Sequence, residues 1–481
     1  MSLHTELNFG WINKIPIQLT LGIDVDFFAL FSLIKEKYDI CYFFESLSHP
    51  RHQDRYHVIG FDPVAVFSAR GSSLEILSEP ETLRKIANVE NADRHIIQNI
   101  NPYDLLKRNF PHNFAGRTHQ GGLIGYFCHE SVNYFEPSLN LKESQDFETF
   151  KLGLYLDGLI YDTLTNTLYY YTFGKDRSDT VRSFLNEIET HKIPEKPESI
   201  KFLGHSTTRD EYLEAVQLTR QKIIEGYSFQ SEVGFKSRFE IKGDKLAIYN
   251  KLRQINPSPY MYYLKFNEQE LLGASPEILV ANKNGVAVTT PAAGTIIRGK
   301  DHEEDTRFAR QLLNDPKEIA EHNMLVDLHR NDLARVSRPG SVRIQDLMYI
   351  IKFSHVQHIA SLITAEMKSE YNSFDLLASI LPGGVTTGAP KIETVKIIDA
   401  TENEPRGPYG GAVGRFSFNG DCDFCLPIRS LFCVGDECYA QTSAGIVYDS
   451  VPEKEYDEVV NKLAAMKQVL VELEVHFEDR E

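Results

Sequence analysis

Residues 449–462 read DSVPEKEYDEVVNK. If this run opens a helix, Glu455, Glu458 and Lys462 fall on one stripe, at spacings of three and four. The stripe continues into Ala465, Met466 and Val469, which read as core. Two carboxylates and an ammonium therefore head an apolar face. A second run, KEIAEHNMLVDLHRNDLARV (317–336), repeats the pattern: Glu318 and Glu321 are three apart and share a helical arc with Leu325 and Leu328. A single E-x-x-E is usually solvated surface. Two of them, each aligned with core positions, are a stronger signal, because buried carboxylates must be paired or must bind a cation. No matching cluster of lysines accompanies these four, which points to a hard divalent cation. Mg²⁺ takes one or two protein carboxylates, some waters and the oxygens of an anionic substrate. The expectation is a metal-plus-anion site between two helices.

Outward from these runs, helices are expected at about 209–225, 304–335, 373–380, 391–400 and 453–475. β-like runs are expected at about 259–266, 285–290, 411–418, 423–432 and 438–447. Sheets with flanking helices but no strict βαβ alternation give an α+β class. The charged, proline-bearing KIPEKPES (192–199) reads as a linker. It divides the chain into an N-terminal region, 1–200, and a C-terminal region, 201–481. LPGGVTTGAPK (381–391) and GPYGGAVG (407–414) match neither a phosphate loop nor a dinucleotide fingerprint. Both read as tight turns where backbone approaches a ligand or another strand.

The formal charge of −17 argues against nucleic acid or an anionic membrane surface as a partner. An anionic substrate would need a cationic site built against the chain's own field. No stretch approaches the roughly 20 apolar residues of a membrane span, and MSLHTELNFGWINK shows no secretory pattern. The expected location is cytoplasmic. Cys422 and Cys425 form a C-x-x-C, with Cys433 and Cys438 nearby. A zinc site is the functional alternative. Strand alternation would send these thiols to different faces, so they are expected to be reduced core cysteines.

Longer words carry a resemblance. LLGASPE (271–277), PAAGT (291–295), EIAEHNMLVDLHRNDLARV (318–336), VQHIAS (356–361), TGAPK (387–391), PYGGAVG (408–414), IRS (428–430) and SAGIVYDSVPEKEYDEVVNK (443–462) resemble the large subunit, component I, of anthranilate synthases, in the chorismate-utilising enzyme family. FFES, RYHVIGFDP, QGGLIGYF and NPSPYMYYL extend the likeness over nearly the whole chain. The resemblance implies two packed antiparallel sheets with outer helices, and a Mg²⁺-assisted lyase that adds a nucleophile to chorismate and displaces its 4-hydroxyl. It implies Glu321 and Glu458 as Mg²⁺ ligands, with Glu318 and Glu455 beside them and Glu318 also in proton transfer. His358 stands for the histidine beside the departing hydroxyl, with Thr295 near it. Tyr409 and Arg429 resemble chorismate contacts, Arg429 as a carboxylate clamp. Gly294, Thr295 and the backbone of Ser443, Ala444 and Gly445 complete an anion cradle, to which Lys462 adds charge. Glu45, Ser46, Pro259, Tyr260 and Met261 resemble a tryptophan feedback site in the N-terminal regulatory region and its neighbours.

The same resemblance narrows the nucleophile. Isochorismate-forming members carry a lysine base. In EGYSFQSEVGFKSRFEI (225–241) either Gln230 or Glu232 falls at that position, and Lys236 fits no register. Aminodeoxychorismate synthases spell the P-x-x-G-T word with a lysine that attacks chorismate covalently; here the place is Ala293. This implies direct ammonia addition and loss of pyruvate to give anthranilate, in tryptophan biosynthesis. Val385 and Ser443 depart from the anthranilate pattern and keep aminodeoxychorismate and 2-amino-2-deoxyisochorismate synthases as alternatives. The chain has no glutamine-amidotransferase cysteine word, so ammonia is expected from a separate amidotransferase subunit.

Overall fold

The computed structural model describes residues 6–47, 55–353 and 356–473. The first five residues read for a leader, and the side chain of Ala465, lie outside the described set. Among the described residues the strands form two antiparallel twelve-stranded sheets. Period-2 alternation assigns their faces. Tyr42, Tyr262 and Leu264 of the first sheet share a core with Phe67, Tyr126 and Phe416 of the second. Phe43, Met261 and Tyr263 face outward into a separate core with helices Phe27–Lys37, Arg209–Ile224, Leu246–Ile255 and Pro452–Val471. Met466 and Val469 are buried in that second core, as their spacing predicts.

Both sheets draw strands from either side of the 192–199 linker. Ile40–Glu45 pairs with Tyr260–Phe266 in the first sheet. Gly122–Phe127 pairs with Ala412–Phe416 in the second.

Three expectations change. The single helix expected at about 304–335 is two, His302–Leu312 and Pro316–Ala334. Asp315 accepts from the amides of Lys317 and Glu318, and Pro316 occupies the first turn, so a new helix starts there. The β-run expected at 423–432 is also two strands, in different sheets: Cys422–Cys425 in the second and Ser430–Val434 in the first. Pro427 lies between them, and Arg429 takes the left-handed conformation at φ 53°. Finally, Cys433 and Cys438 form a disulfide. They face one another across the hairpin between Ser430–Val434 and Glu437–Ile446, so alternation brings this pair together instead of separating it. Cys41, Cys128, Cys422 and Cys425 are free and buried.

Candidate active site

Two of the chain's crossings between the sheets lie side by side. Gln269–Ser275 belongs to the first sheet and Ile278–Lys283 to the second, with Pro276 and Glu277 between them. The second crossing is Leu426–Arg429. The two are stitched together: the Leu426 amide donates to the Glu277 carbonyl at 3.1 Å, and Ser275 Oγ donates to the Leu426 carbonyl at 2.6 Å. Glu277 and Arg429 are thus neighbours by topology. Burial lifts the Glu277 carboxyl to about 8, against the Ala292 amide and Arg429, which both favour its charged form. Burial brings the Arg429 guanidinium down to about 10, partly offset by Glu277. Among the described residues no carboxylate lies within ion-pair distance of Arg429, which leaves its fork available to a substrate carboxylate.

A bulge at Gly294 supplies the next group. The register of Ala292–Ile297 on Val356–Glu366 slips between Ala293 and Thr295, and Gly294 has φ 76°. The slip sets the Gly294 carbonyl 3.1 Å and Thr295 Oγ1 3.0 Å from Nδ1 of His358. Arg429 Nη2 donates to the other ring nitrogen, Nε2, at 3.1 Å. A guanidinium can only donate, so Nε2 accepts and the ring proton is assigned to Nδ1, facing the Gly294 carbonyl. Burial, then Arg429, lowers the His358 pKa to about 3. The imidazole is neutral.

The neighbouring group is acidic, and a Cβ on Gly294 would lie 2.8 Å from Glu318 Oε2. Pro316–Ala334 and Pro452–Val471 bring Glu318, Glu321, Glu455 and Glu458 to one cleft. Burial raises Glu318, with Glu321 and Glu458 adding repulsion. Burial also raises Glu455, with Glu458 repelling it. Lys462 Nζ lies 2.8 Å from Glu458 Oε1 and donates to the Ser443 carbonyl at 2.9 Å. Burial pulls Lys462 down, but Glu232 and Glu458 outweigh it and hold the ammonium above its ordinary range. Among the described residues no three His, Cys, Asp or Glu side chains stand close enough to hold a metal by themselves. The charges of Glu321 and Glu458 reach Glu318, and that of Glu458 reaches Glu455, without the four closing around one point. A Mg²⁺ shell completed by water and substrate oxygens needs only one or two of them.

Gln230–Lys242 and Glu437–Ile446 pair beside these groups, with Glu232 opposite Gly445 and Gly234 opposite Ser443. Tyr409 Oη and Ser443 Oγ are 3.0 Å apart, and Ser443 Oγ donates to Glu232 Oε2 at 2.6 Å. Gln230 Nε2 reaches both Glu232 Oε1 at 3.3 Å and Glu321 Oε1 at 3.2 Å. Gln230 and Glu232 therefore both face the cleft, whichever of them a sequence register favours. Lys236 is elsewhere, 3.4 Å from Glu404 and over the Tyr439 ring. The Ala444 side chain faces the outer core, so only its backbone is available to the cradle. Gly388 approaches the Gln230 carbonyl so closely that a Cβ would lie 2.1 Å from it, confirming the turn at 381–391 as a close backbone approach. Thr386, beside Val385, is buried there and donates to the Gly383 carbonyl. Glu277 carries no site role in the sequence motifs; its signal lies in burial, which spacing does not show.

The sequence pattern of the chorismate binding enzyme family matches residues 40–468. The chain belongs to that family. It is 40% identical over 454 residues to anthranilate synthase component 1 of Leptospira biflexa, covering 94% of this chain and 95% of that one. It is 38% identical to anthranilate synthase component 1 of Methanothermobacter thermautotrophicus, covering 91% of each. It is 35% identical to aminodeoxychorismate synthase component 1 of Bacillus subtilis, covering 86% of this chain and 89% of that one. Among solved structures, anthranilate synthase component I of Streptococcus pneumoniae superposes with a TM-score of 0.74 at 27% identity, covering 88% of this chain and 94% of that one. The menaquinone-specific isochorismate synthase of Escherichia coli superposes at 0.69 with 18% identity, covering 95% and 94%, a likeness of fold alone.

This member of the chorismate-binding family has a second pocket, between the sheets. Glu45, Ser46, Pro259, Tyr260 and Met261 all line it, with Tyr56, Arg415 and Asp423. Two of the five contribute differently from what their motif implies. The Glu45 carboxylate turns to the outer face, where it accepts from Tyr249 Oη and Arg253. Met261 lies opposite it in register and packs into the same outer core. Alternation leaves their backbone, not their side chains, to the pocket. Among the described residues, Ser46 Oγ is buried there without a hydrogen-bond partner.

Proposed function

We propose that the chain is a chorismate-aminating lyase of the anthranilate synthase type, forming anthranilate and pyruvate from chorismate and ammonia. The observation that carries this reading is that the Arg429–His358–Thr295 cluster adjoins the helix glutamates, with Glu318 Oε2 against Gly294 and the Lys462 charge felt at His358. Arg429 would clamp a substrate carboxylate, and Tyr409 would orient the ring. Glu277 keeps its proton at neutral pH and would hand it to the departing hydroxyl. Neutral His358 would hold that hydroxyl without adding charge. Ala293 offers no amine, so the nucleophile must come from outside. A separate glutamine amidotransferase subunit would supply it.

The mutually repelling glutamates fit a divalent cation. Glu321 and Glu458 would hold Mg²⁺, with Glu318 and Glu455 acting through water. When bound, the ion neutralises a carboxylate of the substrate and stabilises charge in the transition state. Tryptophan binding in the inter-sheet pocket, with feedback inhibition, is part of the reading. So is a cytoplasmic site of action; among the described residues no helix is long and apolar enough to cross a membrane.

The test is incubation of purified protein with chorismate, Mg²⁺ and ammonium, with the product identified by fluorescence and mass. Anthranilate is expected. 4-Amino-4-deoxychorismate or accumulated 2-amino-2-deoxyisochorismate would move the enzyme to one of the alternative branches, and unchanged chorismate would overturn the reading.

A further inference from the structure

Glu232 is 7% exposed, second among the site's carboxyls to Glu277 at 4%. Among the described residues no lysine or arginine lies within ion-pair distance of it. Its oxygens are held by neutral donors, Ser443 Oγ on Oε2 and the Gln230 amide on Oε1. Each carboxylate oxygen can accept two hydrogen bonds, so Oε1 keeps capacity for one further donor. The space over Gly445 is already filled. A Cβ there would lie 2.4 Å from Gln230 Nε2 and 2.8 Å from Glu232 Oε1. Tyr212, from Arg209–Ile224, lies close enough for its hydroxyl to feel the Glu232 charge. Lys462 and Glu458 face it from Pro452–Val471, Glu321 from Pro316–Ala334, and Tyr409 from the 407–411 turn. Arg406 reaches only its backbone carbonyl, at 2.8 Å. A buried carboxyl with free acceptor capacity and no ion partner fits a small, N–H-rich, cationic or neutral guest.

We propose that Glu232 seats the nitrogen nucleophile and takes up the proton it sheds, a role that rests on the amination reading above. The nitrogen lone pair forms the new C–N bond while the ring C–O bond breaks. The hydroxyl leaves as water with a proton from an acid in the site. The nitrogen, carrying one proton too many, passes it to Glu232, leaving a neutral amine and a neutral carboxyl. Burial lifts Glu232 to about 7, with Lys462 and the Ser443 hydroxyl opposing and Glu321 and Glu458 reinforcing. It thus changes charge in the range where the enzyme would work.

The experiment measures the ammonium-dependent rate from acid to alkaline pH for the full chain, Glu232→Gln and Ser443→Ala. Glu232 must be ionised to accept, so the wild-type rate should rise through a limb near pH 7. Glu232→Gln should lose that limb and follow free ammonia alone, rising about tenfold per pH unit. Its KM for ammonium should increase at least about tenfold, with the KM for chorismate changed less than about twofold. Ser443→Ala removes a donor that favours the charged carboxylate, so its limb should move to higher pH. An unchanged limb and ammonium KM in a folded Glu232→Gln overturns the proposal while leaving the amination reading intact. Should that variant not fold, an unshifted limb in Ser443→Ala overturns it equally. A wild type that makes no aminated product overturns the amination reading, and this role with it.

Discussion

Arg429 Nη2 donates to His358 Nε2 across 3.1 Å, and this contact fixes the imidazole as a neutral acceptor. Removing the cation in Arg429→Met should raise the His358 pKa from about 3. Burial, the larger cause, should still keep it below 6.5. Nitrogen NMR of the ring reads both states. Turnover should fall roughly a hundredfold with loss of the clamp. A wild-type His358 that titrates near 6.5 would contradict this geometry.

Glu277 gives stability a pH dependence of definite sign. Its carboxyl titrates at about 8 when folded, against an ordinary 4.5. The folded chain therefore binds more protons between those values, and its contribution is complete below pH 4.5 and lost as pH rises through 8. Glu277→Gln should flatten that part of the stability curve, measured as urea midpoints across the window. An unchanged slope would place the proton elsewhere.

Glu458→Gln removes one of the two proposed Mg²⁺ ligands. Calorimetry should show Mg²⁺ affinity falling by roughly a hundredfold, with Mg²⁺-dependent turnover following it. Because Glu458 is exposed at its helix, thermal stability should change by no more than about 0.5 kcal/mol. Undiminished Mg²⁺ binding would exclude it from the site.

Ser46→Tyr should fill the inter-sheet pocket. The inhibition constant for tryptophan is expected to rise at least about tenfold, while the chorismate KM changes much less. Full tryptophan sensitivity in this variant would move the inhibitor to another place.

Much of the site was legible because its residues come from contiguous words. The two E-x-x-E stripes, the P-x-x-G-T bulge and the I-R-S turn are each short enough to be read as motifs. What escaped depends on how the chain travels between layers. The 423–432 run alternates like one strand, yet Pro427 and the left-handed Arg429 carry it from one sheet to the other. Glu277 sits on the parallel crossing, and nothing in its own neighbours in sequence announces that Arg429 lies beside it. Glu45 and Met261 show the same limit from the other side. Their words are right, but alternation turns their side chains away from the pocket those words share. Cys433 and Cys438 meet because they hold directly opposed positions of a hairpin, a register that alternation along the chain does not give.

The interleaving of the sheets has a consequence for how the protein is made. Gly122–Phe127 leaves the ribosome long before its partner Ala412–Phe416 exists. At about 5–20 residues per second, that edge waits roughly 15–60 s before it can be paired. During synthesis the nascent chain therefore exposes apolar strand edges of the kind that recruit chaperones or stray neighbours. A polypeptide ending near residue 200 would be stranded in that condition, whatever the linker there suggests about divisibility.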